Sequence, residues 1–285
     1  MNTKQNQKIW IEKIQKNLLL RGRSEKTYIN YRCALIKFFN YYDETINIKR
    51  LKENDIIDFL NYEYLIPNKS KNSYNLAVSS IKLFYLVCFN TSLNNLLLPS
   101  SKIAKRLPVI ISKNEFLLFL NNETNIKHKC WLLLGFCSGL RVEEVAHLRI
   151  ENIFPSEHKI KVLGKGNKER YTLLPDITIK ILRLYCKKYN ITNKEGYLFY
   201  SHKDTPIPSS ETITNYFTNL MKQYNKLGIY TFHSLRHSFA TYYLSNGGSL
   251  LALQSMLGHK SLSTTAIYVH LAHDFNNLKG INYGK

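Results

Sequence analysis

Cysteine is scarce in this 285-residue chain, and the few cysteines are scattered. The five thiols lie at Cys33, Cys88, Cys130, Cys137 and Cys186, and no two of them form a CxxC pair. An odd, dispersed set of this kind argues against a disulfide scaffold and a zinc ribbon, and it fits a reducing cytoplasm. We interpret each cysteine as a small buried apolar residue.

Long hydrophobic runs are also missing. No apolar run approaches the roughly 18–20 residues that are needed to span a bilayer. Residues 1–17 contain no apolar segment of the kind that a signal peptide requires. We therefore expect a cytoplasmic protein with no membrane partner.

Acidic residues are half as numerous as basic ones. Twenty Asp and Glu stand against forty Lys and Arg, which gives a formal net charge of +20 and a pI near 9.6. Residues 1–100 hold 15 basic and 8 acidic residues, and 101–285 hold 25 and 12, so the excess is not confined to one tail. On a chain with 44% hydrophobic residues, this charge predicts a folded protein with a polyanionic partner.

An acidic membrane surface would also attract a chain of this charge. The composition bias of an AT-rich genome, which favours Lys, Asn, Ile and Tyr, would account for part of the charge without any partner. No strongly basic amphipathic terminal helix with aromatic anchors stands out, as surface binding to a membrane would require. We therefore favour nucleic acid as the partner.

The first hundred residues show the period of α-helices. Apolar side chains recur every three or four residues in two stretches, which are Tyr28, Tyr31, Leu35, Phe38 and Tyr42 in one and Tyr74, Val78, Ile81, Tyr85 and Cys88 in the other. Each set lies on one face of a helix, and Ser24 is placed to cap the first. With two more helices near 5–20 and 53–64, the sequence predicts a small helical bundle.

The helical period is lost at 99–112, where two prolines and three basic residues predict a linker. Ser112 and Glu115 then form a capping box that begins a new helix. The predicted organisation is a helical domain at 1–98, the linker, and a second domain at 113–285. The basic residues of the linker are candidate DNA contacts: Lys102, Lys105 and Arg106.

A change to a two-residue period at 158–174 predicts a β-hairpin. Ile160 and Val162 alternate with lysines, and a basic, glycine-rich tip at 164–168 joins the strands. Two further candidate DNA contacts lie here, Lys168 and Arg170. Helices are predicted near 176–189, 209–224, 234–246, 249–257 and 263–272. The fold class is therefore mainly α with a small β-sheet.

Several short segments carry side chains suited to phosphate chemistry. Arg141 follows a helix end at Gly139, and Glu144 could support its guanidinium. Lys165 lies between two glycines at the hairpin tip, where it could approach a nucleic-acid backbone closely. Taken singly, such residues are more often surface ion pairs or solvated lysines.

The C-terminal segments add histidines and a tyrosine. His233 and Arg236 lie at i and i+3 near the start of a predicted helix, so they share one face. His237, at i+4 from His233, gives a spacing that also suits zinc, but there is no HExxH motif and no third ligand is evident. His259 follows a glycine at a helix end, and Tyr268 lies on the next helix.

Two arginines, a lysine, two histidines and a tyrosine together suit phosphoryl transfer to a protein nucleophile. Fixed guanidiniums stabilise charge on the non-bridging oxygens, and a lysine or histidine can protonate the leaving alkoxide. A phenol, with an ordinary pKa of about 10, can attack when a base or cationic surroundings assist it. The lack of clustered carboxylates disfavours a metal-dependent nuclease.

In their order and residue types, these segments resemble the tyrosine recombinases, also called the phage integrase family. The matching segments are GLRVEEVAHLR, VLGKGNKERYTLLP, HSLRHSFAT and LGHKSLSTTAIYVH. The resemblance covers about 107–268 closely and extends more weakly to SEKTYINYRCALIKFFNYY in the first domain. Within the family it is similar to Xer-type recombinases and short transposon or plasmid integrases. It implies an all-α, SAM-like core-binding domain followed by an α+β catalytic domain.

The resemblance implies roles at the scissile phosphate and in proton transfer. Arg141 and Arg236 would clamp the phosphate, and His259 would hydrogen-bond it. Lys165 would protonate the leaving 5′ oxygen.

The remaining implied roles concern the nucleophile. His233 would exchange a proton with Tyr268, and Tyr268 would attack to leave a 3′-phosphotyrosyl link. Because the bond energy stays in that link, the reaction would need no cofactor, metal or ATP.

The partner implied by the resemblance is double-stranded DNA, held between the two domains. Strand exchange implies a homotetramer on DNA, or one shared with a second recombinase, in the cytoplasm at the nucleoid. Two alternatives stay open from the residues alone. One is a type IB-like topoisomerase, which uses the same nicking chemistry, and the other is a non-catalytic DNA-binding protein on the same fold.

Overall fold

The computed structural model describes residues 3–95, 97–101, 107–164, 169–191, 196–202, 205–206 and 209–275. The chain divides into two compact units, Met1–Lys105 and Arg106–Lys285, and each has a hydrophobic core of its own. The division falls within the segment predicted as a linker. In the part of the chain so described, no helix has the length and apolar character to cross a membrane.

The described residues of the N-terminal unit form helices joined by loops, and none of them lies in a strand. Its helices are α1 (Thr3–Leu20), α2 (Glu25–Tyr41), α3 (Glu53–Leu60) and α4 (Lys71–Phe89), with a π-helical turn at Asn61–Leu65. The predicted cap is confirmed, since the Ser24 hydroxyl accepts a hydrogen bond from the Thr27 amide at the start of α2. The two predicted stripes belong to the core of this unit or pack against it.

Aromatic rings fill much of that core. Phe38 of α2 meets Phe59 of α3 edge-on, and it meets Phe84 and Tyr85 of α4 in the same way. Trp10 of α1 lies 5.3 Å from Phe84, also edge-on. Edge-to-face contacts of this kind stabilise a core beyond the area they bury, and they explain why aromatic residues recur at helical spacing.

The C-terminal unit combines helices with two small sheets. In chain order its elements are α5 (Lys113–Asn122), α6 (Ile126–Ser138), α7 (Val142–Ala146), β1 (Ile153–Phe154), β2 (Lys159–Leu163), β3 (Glu169–Leu173), α8 (Asp176–Lys188), β4 (Tyr200–His202), β5 (Thr205–Pro206), α9 (Ser210–Gln223), α10 (Phe232–Ser245), α11 (Leu250–Leu257) and α12 (Leu262–Phe275). All the predicted C-terminal helices and the predicted hairpin are present. The sequence did not predict α7, β1, β4 or β5, because elements of two to five residues show no clear period.

The start of this unit corrects the predicted linker. Ser112 and Glu115 form the predicted capping box. Directly before it, however, Ile111 is fully buried, and its amide donates a hydrogen bond to Ser238 Oγ at 2.9 Å. The predicted end of the linker at residue 112 is therefore wrong. The side chain of Ile111 is already buried in the second unit, and its amide is already hydrogen-bonded there.

Helix α6 is the central element of the C-terminal unit. Residues 130–138 are all buried, and α6 packs against α8 and α10. Gly135 permits this close approach, since a Cβ there would lie 2.8 Å from Leu235 Cδ1. The helix ends at Gly139, whose φ of +66° suits glycine. This turn brings the Gly139 carbonyl and Arg141 next to α10.

The hairpin β2–β3 joins β1 in an antiparallel sheet of order β1-β2-β3. Ile160 and Val162 face the core, as the alternation predicted. In β3 the buried residues are polar, namely Arg170 and Thr172, and Thr172 Oγ1 donates to the Ser138 carbonyl at 2.7 Å. The hairpin tip at 165–168 lies outside the described residues.

A separate small apolar cluster joins the last three helices. Its buried members are Phe239, Ala240, Leu253, Leu257, Tyr268 and Leu271. Helices α10 and α12 make extensive contact through it. Tyr268 is therefore packed against the helix that carries Arg236.

Candidate active site

A single carboxylate organises the basic side chains of the C-terminal unit. Glu144 Oε1 accepts from Arg141 Nη1 at 2.8 Å, and Oε2 accepts from Arg170 Nη2 at 2.8 Å. Arg236 Nη1 lies 3.7 Å from the same Oε2. Glu144 also caps α7 by accepting from the Arg141 amide at 2.8 Å. The short helix α7 thus places the carboxylate between three guanidiniums.

This cluster carries more positive than negative charge. Burial alone would raise the pKa of Glu144, but the Arg170 hydrogen bond and the surrounding guanidinium charges lower it to about 2. Burial and the charge of Arg141 lower the pKa of Arg236. One carboxylate facing three guanidiniums leaves an excess of two positive charges, so the site favours a bound anion. Arg141, with a side chain 37% exposed, is the guanidinium that solvent reaches.

Backbone carbonyls at two helix ends fix the orientation of the arginines. Arg236 donates to the Gly139 carbonyl after α6, at 2.7 Å, and to the Leu257 carbonyl at the end of α11. Arg170 Nε donates to the Met256 carbonyl at 2.7 Å. The carbonyl end of a helix carries partial negative charge, which stabilises the cations there.

The turn after α11 places His259. Gly258 ends the helix with φ of +63°, and a Cβ at that position would lie 2.9 Å from Arg170 Cδ. His259 Nδ1 lies 3.0 Å from the buried Thr265 hydroxyl on α12. Burial and the nearby Arg236 lower the pKa of His259 to about 4, so its imidazole is neutral at pH 7.

Tyr268 lies on α12 with 2% of its surface exposed. Burial raises the pKa of its phenol, and the charges of Arg236 and Arg141 act in the opposite direction. Its hydroxyl lies 2.7 Å from His237 Nδ1. Its ring is parallel to that of His259, with centroids 6.5 Å apart. The phenol, two imidazoles and the arginine cluster therefore belong to one site.

The two histidines of α10 differ in their surroundings. Burial, together with His233 and Arg236, lowers the pKa of His237 to about 4. His233, one turn earlier, is exposed and meets the His237 ring edge-on at 4.5 Å between centroids. Among the described residues, His237 alone hydrogen-bonds the Tyr268 hydroxyl. From the sequence we interpreted His237 only as a possible metal ligand, and its contact with Tyr268 was not predicted.

Five of the predicted residues lie outside the described residues: Lys165, Lys168, Lys102, Lys105 and Arg106. Over the part of the chain that is described, no three His, Cys, Asp or Glu side chains form a group that could hold a metal ion.

The predicted DNA contact at Arg170 stays a prediction, and the structure gives this side chain a second role. Its side chain is only 7% exposed, and its guanidinium is bound to Glu144 and to the Met256 carbonyl. An arginine bound in this way supports Glu144 from behind.

Taken together, the arrangement suits attack by a phenol on a phosphodiester. Preorganised guanidiniums stabilise the charge of the transition state without reorganisation. Neutral imidazoles beside the phenol can accept a proton or donate a hydrogen bond.

Comparison with known proteins identifies relatives for both units. The model of the phage integrase family matches residues 111–274, and that of the phage integrase N-terminal SAM-like domain matches residues 10–94. These matches confirm the predicted fold class, an all-α SAM-like domain followed by an α+β catalytic domain.

Three similar proteins cover most of the chain. The tyrosine recombinase XerD of Staphylococcus saprophyticus is 30% identical over 275 residues, which is 89% of this chain and 90% of the relative. XerD of Oceanobacillus iheyensis is 28% identical over 269 residues, covering 88% and 89%. The crystal structure of the XerH recombinase bound to its palindromic difH substrate, a post-cleavage complex, has a TM-score of 0.73 at 20% identity, covering 90% of this chain and 80% of that one. This structural likeness concerns the fold.

Proposed function

This chain belongs to the phage integrase family and is a site-specific tyrosine recombinase of the Xer-like type, and we propose that it cuts and rejoins duplex DNA through Tyr268. The observation that carries this assignment is the cluster of Arg141, Arg170 and Arg236 around the one carboxylate of Glu144, in the same site as a buried phenol. The excess positive charge suits one phosphodiester, and the phenol supplies the nucleophile.

In the proposed reaction, Arg141 and Arg236 bind the non-bridging oxygens of the scissile phosphate and stabilise the charge that develops on them. His259 hydrogen-bonds the same phosphate. Glu144 and Arg170 hold the two phosphate-binding guanidiniums in place. The accessible side chain of Arg141 and the bidentate geometry of arginine support its role at the phosphate, and the role of Arg236 is the one that the family resemblance implies.

Tyr268 Oη forms a bond to phosphorus while the bond from phosphorus to the 5′ oxygen breaks. Lys165 donates the proton that the leaving oxygen needs, and His233 is the residue that the family resemblance assigns to proton exchange with the phenol. The product is a 3′-phosphotyrosyl link with a free 5′ hydroxyl. Because the link conserves the energy of the phosphodiester, the reverse attack rejoins DNA without ATP, and the proposed reaction uses no cofactor or metal.

We propose duplex DNA as the substrate of both units. The related XerH was solved on its difH substrate, and the net charge of +20 here suits many phosphate contacts. Lys102, Lys105, Arg106 and Lys168 are the proposed phosphate contacts outside the catalytic cluster. Exchange of two duplexes requires two cuts in each, which is four cuts in total. The proposed working form is therefore a homotetramer on DNA, or a tetramer shared with a second recombinase. Its proposed location is the nucleoid.

A covalent-trapping experiment tests the proposed function. Wild-type protein is incubated with a pool of duplexes of randomised sequence, and those that form denaturant-stable adducts are recovered and rebuilt with a nick that prevents religation. We expect Tyr268→Phe to bind the selected duplex and form no adduct, because one oxygen is missing. The matched control is Tyr189→Phe, an exposed tyrosine of the same unit, which should form the adduct normally. An adduct with Tyr268→Phe would refute the assignment.

A further inference from the structure

None of the roles proposed so far uses the contact between His237 and Tyr268. His237 Nδ1 lies 2.7 Å from the phenolic oxygen, within ordinary hydrogen-bond distance. The contact joins α10 to α12, the two helices that pack most extensively in this part of the unit. A buried phenol needs a partner for its hydroxyl, and His237 is the one that the described residues provide.

The direction of this hydrogen bond follows from the surroundings of His237. The imidazole is half-buried beside Arg236, and it also faces His233 on its own helix and His259 from the turn before α12. These neighbours and burial lower its pKa to about 4, so the ring is neutral in the free protein. A neutral ring that accepts at Nδ1 carries its proton on Nε2, and Tyr268 then donates.

We propose that His237 is the general base for Tyr268, a role that rests on Tyr268 being the nucleophile of the proposed function. As Oη bonds to phosphorus, the phenolic O–H bond breaks and its proton moves to His237 Nδ1, leaving an imidazolium. The bond from phosphorus to the 5′ oxygen breaks in the same step, and that oxygen takes its proton from a separate donor. In the reverse reaction the imidazolium returns its proton to the phenolic oxygen.

Binding of DNA makes this transfer easier. In the free protein, guanidinium charge near His237 opposes its protonation. A phosphodiester bound to Arg141 and Arg236 adds one negative charge beside the imidazole, which raises the proton affinity of His237 when the substrate is present. The base is thus weak until a phosphate occupies the site.

The sequence position of His237 explains how one helix can contribute both to phosphate binding and to proton transfer. It directly follows Arg236, so consecutive residues of α10 reach the phosphate site and the nucleophile. His233 lies one turn earlier and is exposed. This geometry assigns the proton of the phenol to His237, in place of His233, to which the family resemblance alone assigned it.

The test measures adduct formation on the selected nicked duplex with His237→Asn and His237→Ala. Asparagine places an acceptor oxygen close to the position of Nδ1 but cannot take a proton, so it separates positioning from base catalysis. At pH 7 we expect His237→Asn to slow adduct formation by a factor of about 10²–10⁴, the usual contribution of a general base. His237→Ala should be slowed at least as much. A wild-type rate for His237→Asn would overturn the proposal.

The pH profile supplies a readout that a purely structural role would not move. The defect of His237→Asn should shrink as the pH rises toward the ordinary phenol pKa of about 10, because a phenolate needs no base. His233 and His259 remain in both proteins, so their titration cancels in the comparison. A defect of constant size between pH 6 and about 9 would contradict base catalysis.

The matched control is His158→Asn. His158 lies in the turn between β1 and β2 with φ of +51°, a conformation that asparagine adopts readily. Its ring lies 3.8 Å from Asp176. We expect this variant to form adducts at the wild-type rate across the pH range, and a matching loss in both variants would contradict a specific role for His237.

A DNA-free measurement separates this proposal from the proposed function. With ¹⁵N-labelled histidine, NMR reports which ring nitrogen of His237 carries the proton, and His237→Asn assigns the signal. We expect an unprotonated Nδ1 whose signal moves in Tyr268→Phe. An unmoved signal would overturn the His237 proposal even if Tyr268 is the nucleophile. An adduct with Tyr268→Phe would instead overturn the proposed function, whatever the NMR result.

Discussion

Replacing Glu144 with Gln removes the carboxylate that three guanidiniums share and keeps the shape of the side chain. The pKa of Glu144 lies at about 2 rather than 4.5 because Arg170 and the other cations outweigh the opposing effect of burial. At about 1.36 kcal/mol per pKa unit, this lowering corresponds to about 3 kcal/mol. The Glu144 side chain is only 8% exposed, so solvent screens the interaction little. We expect Glu144→Gln to lose about 3 kcal/mol of unfolding free energy at pH 7.

The pH dependence fixes the sign of this effect. The folded-state pKa of Glu144 is depressed, so its contribution to stability is present above the unfolded pKa of 4.5 and is lost as the pH falls toward about 2. The difference between wild type and Glu144→Gln should therefore be largest near neutral pH and should close as the pH falls through this window. Both proteins should have similar stability once the wild-type carboxyl is protonated.

Urea unfolding followed by tryptophan fluorescence measures this difference. The chain has two tryptophans, and Trp131 is buried in the C-terminal unit, so a Trp10→Phe background reports that unit alone. The matched control is Glu157→Gln, which breaks an exposed ion pair with Lys159 and should leave stability nearly unchanged. Equal stability of Glu144→Gln and wild type at pH 7 would refute the electrostatic role assigned to Glu144.

Three other predictions concern DNA cleavage and binding. Lys165→Ala should slow cleavage by a factor of about 10²–10⁴ and recover on a substrate with a bridging 5′ sulfur, because a thiolate leaves without protonation; equal failure on both substrates would contradict proton donation. Arg170→Ala should lower cleavage far more than DNA affinity, since its guanidinium faces Glu144, and a large affinity loss in a binding assay would contradict this. The affinity for duplex DNA should fall steeply with salt, with a slope of about −0.9 per phosphate neutralised, and a flat slope would contradict phosphate binding by the +20 chain.

The spacing of apolar residues and the N-capping serines predicted most of the helices. The stripes at 28–42 and 74–88 gave α2 and α4, and Ser24 and Ser112 marked helix starts that the structure confirms. These features are local, because a helix face and an N-cap are written within a few consecutive residues.

Features that depend on contacts far along the chain were missed or misassigned. In β3 the buried position is Arg170 while Tyr171 is 46% exposed, because Glu144 compensates the arginine from an element 26 residues away. Composition alone would place the arginine outside, and for this reason its contact with Glu144 was not predicted. Ile111 was placed in a linker because its partner Ser238 is 127 residues away.

In the candidate site, too, local features were predicted and long-range contacts were not. The residue types of Arg141, Arg236, His259 and Tyr268 could be read from short motifs, and the structure brings these four into one site. The partner of the phenol could not be read in this way. His237 neighbours Arg236 in sequence, but its contact with Tyr268 depends on how α12 packs on α10.

The most direct measurement is the site of covalent attachment in the trapped adduct. After nuclease and trypsin treatment, mass spectrometry locates the peptide that retains a nucleotide phosphate. Cleavage after Lys260 and Lys279 gives the peptide 261–279, in which Tyr268 is the single tyrosine. We predict a 3′-linked nucleotide on Tyr268 in this peptide. A nucleotide on any other residue, or attachment through a 5′ phosphate, would contradict the assignment of Tyr268 as the nucleophile.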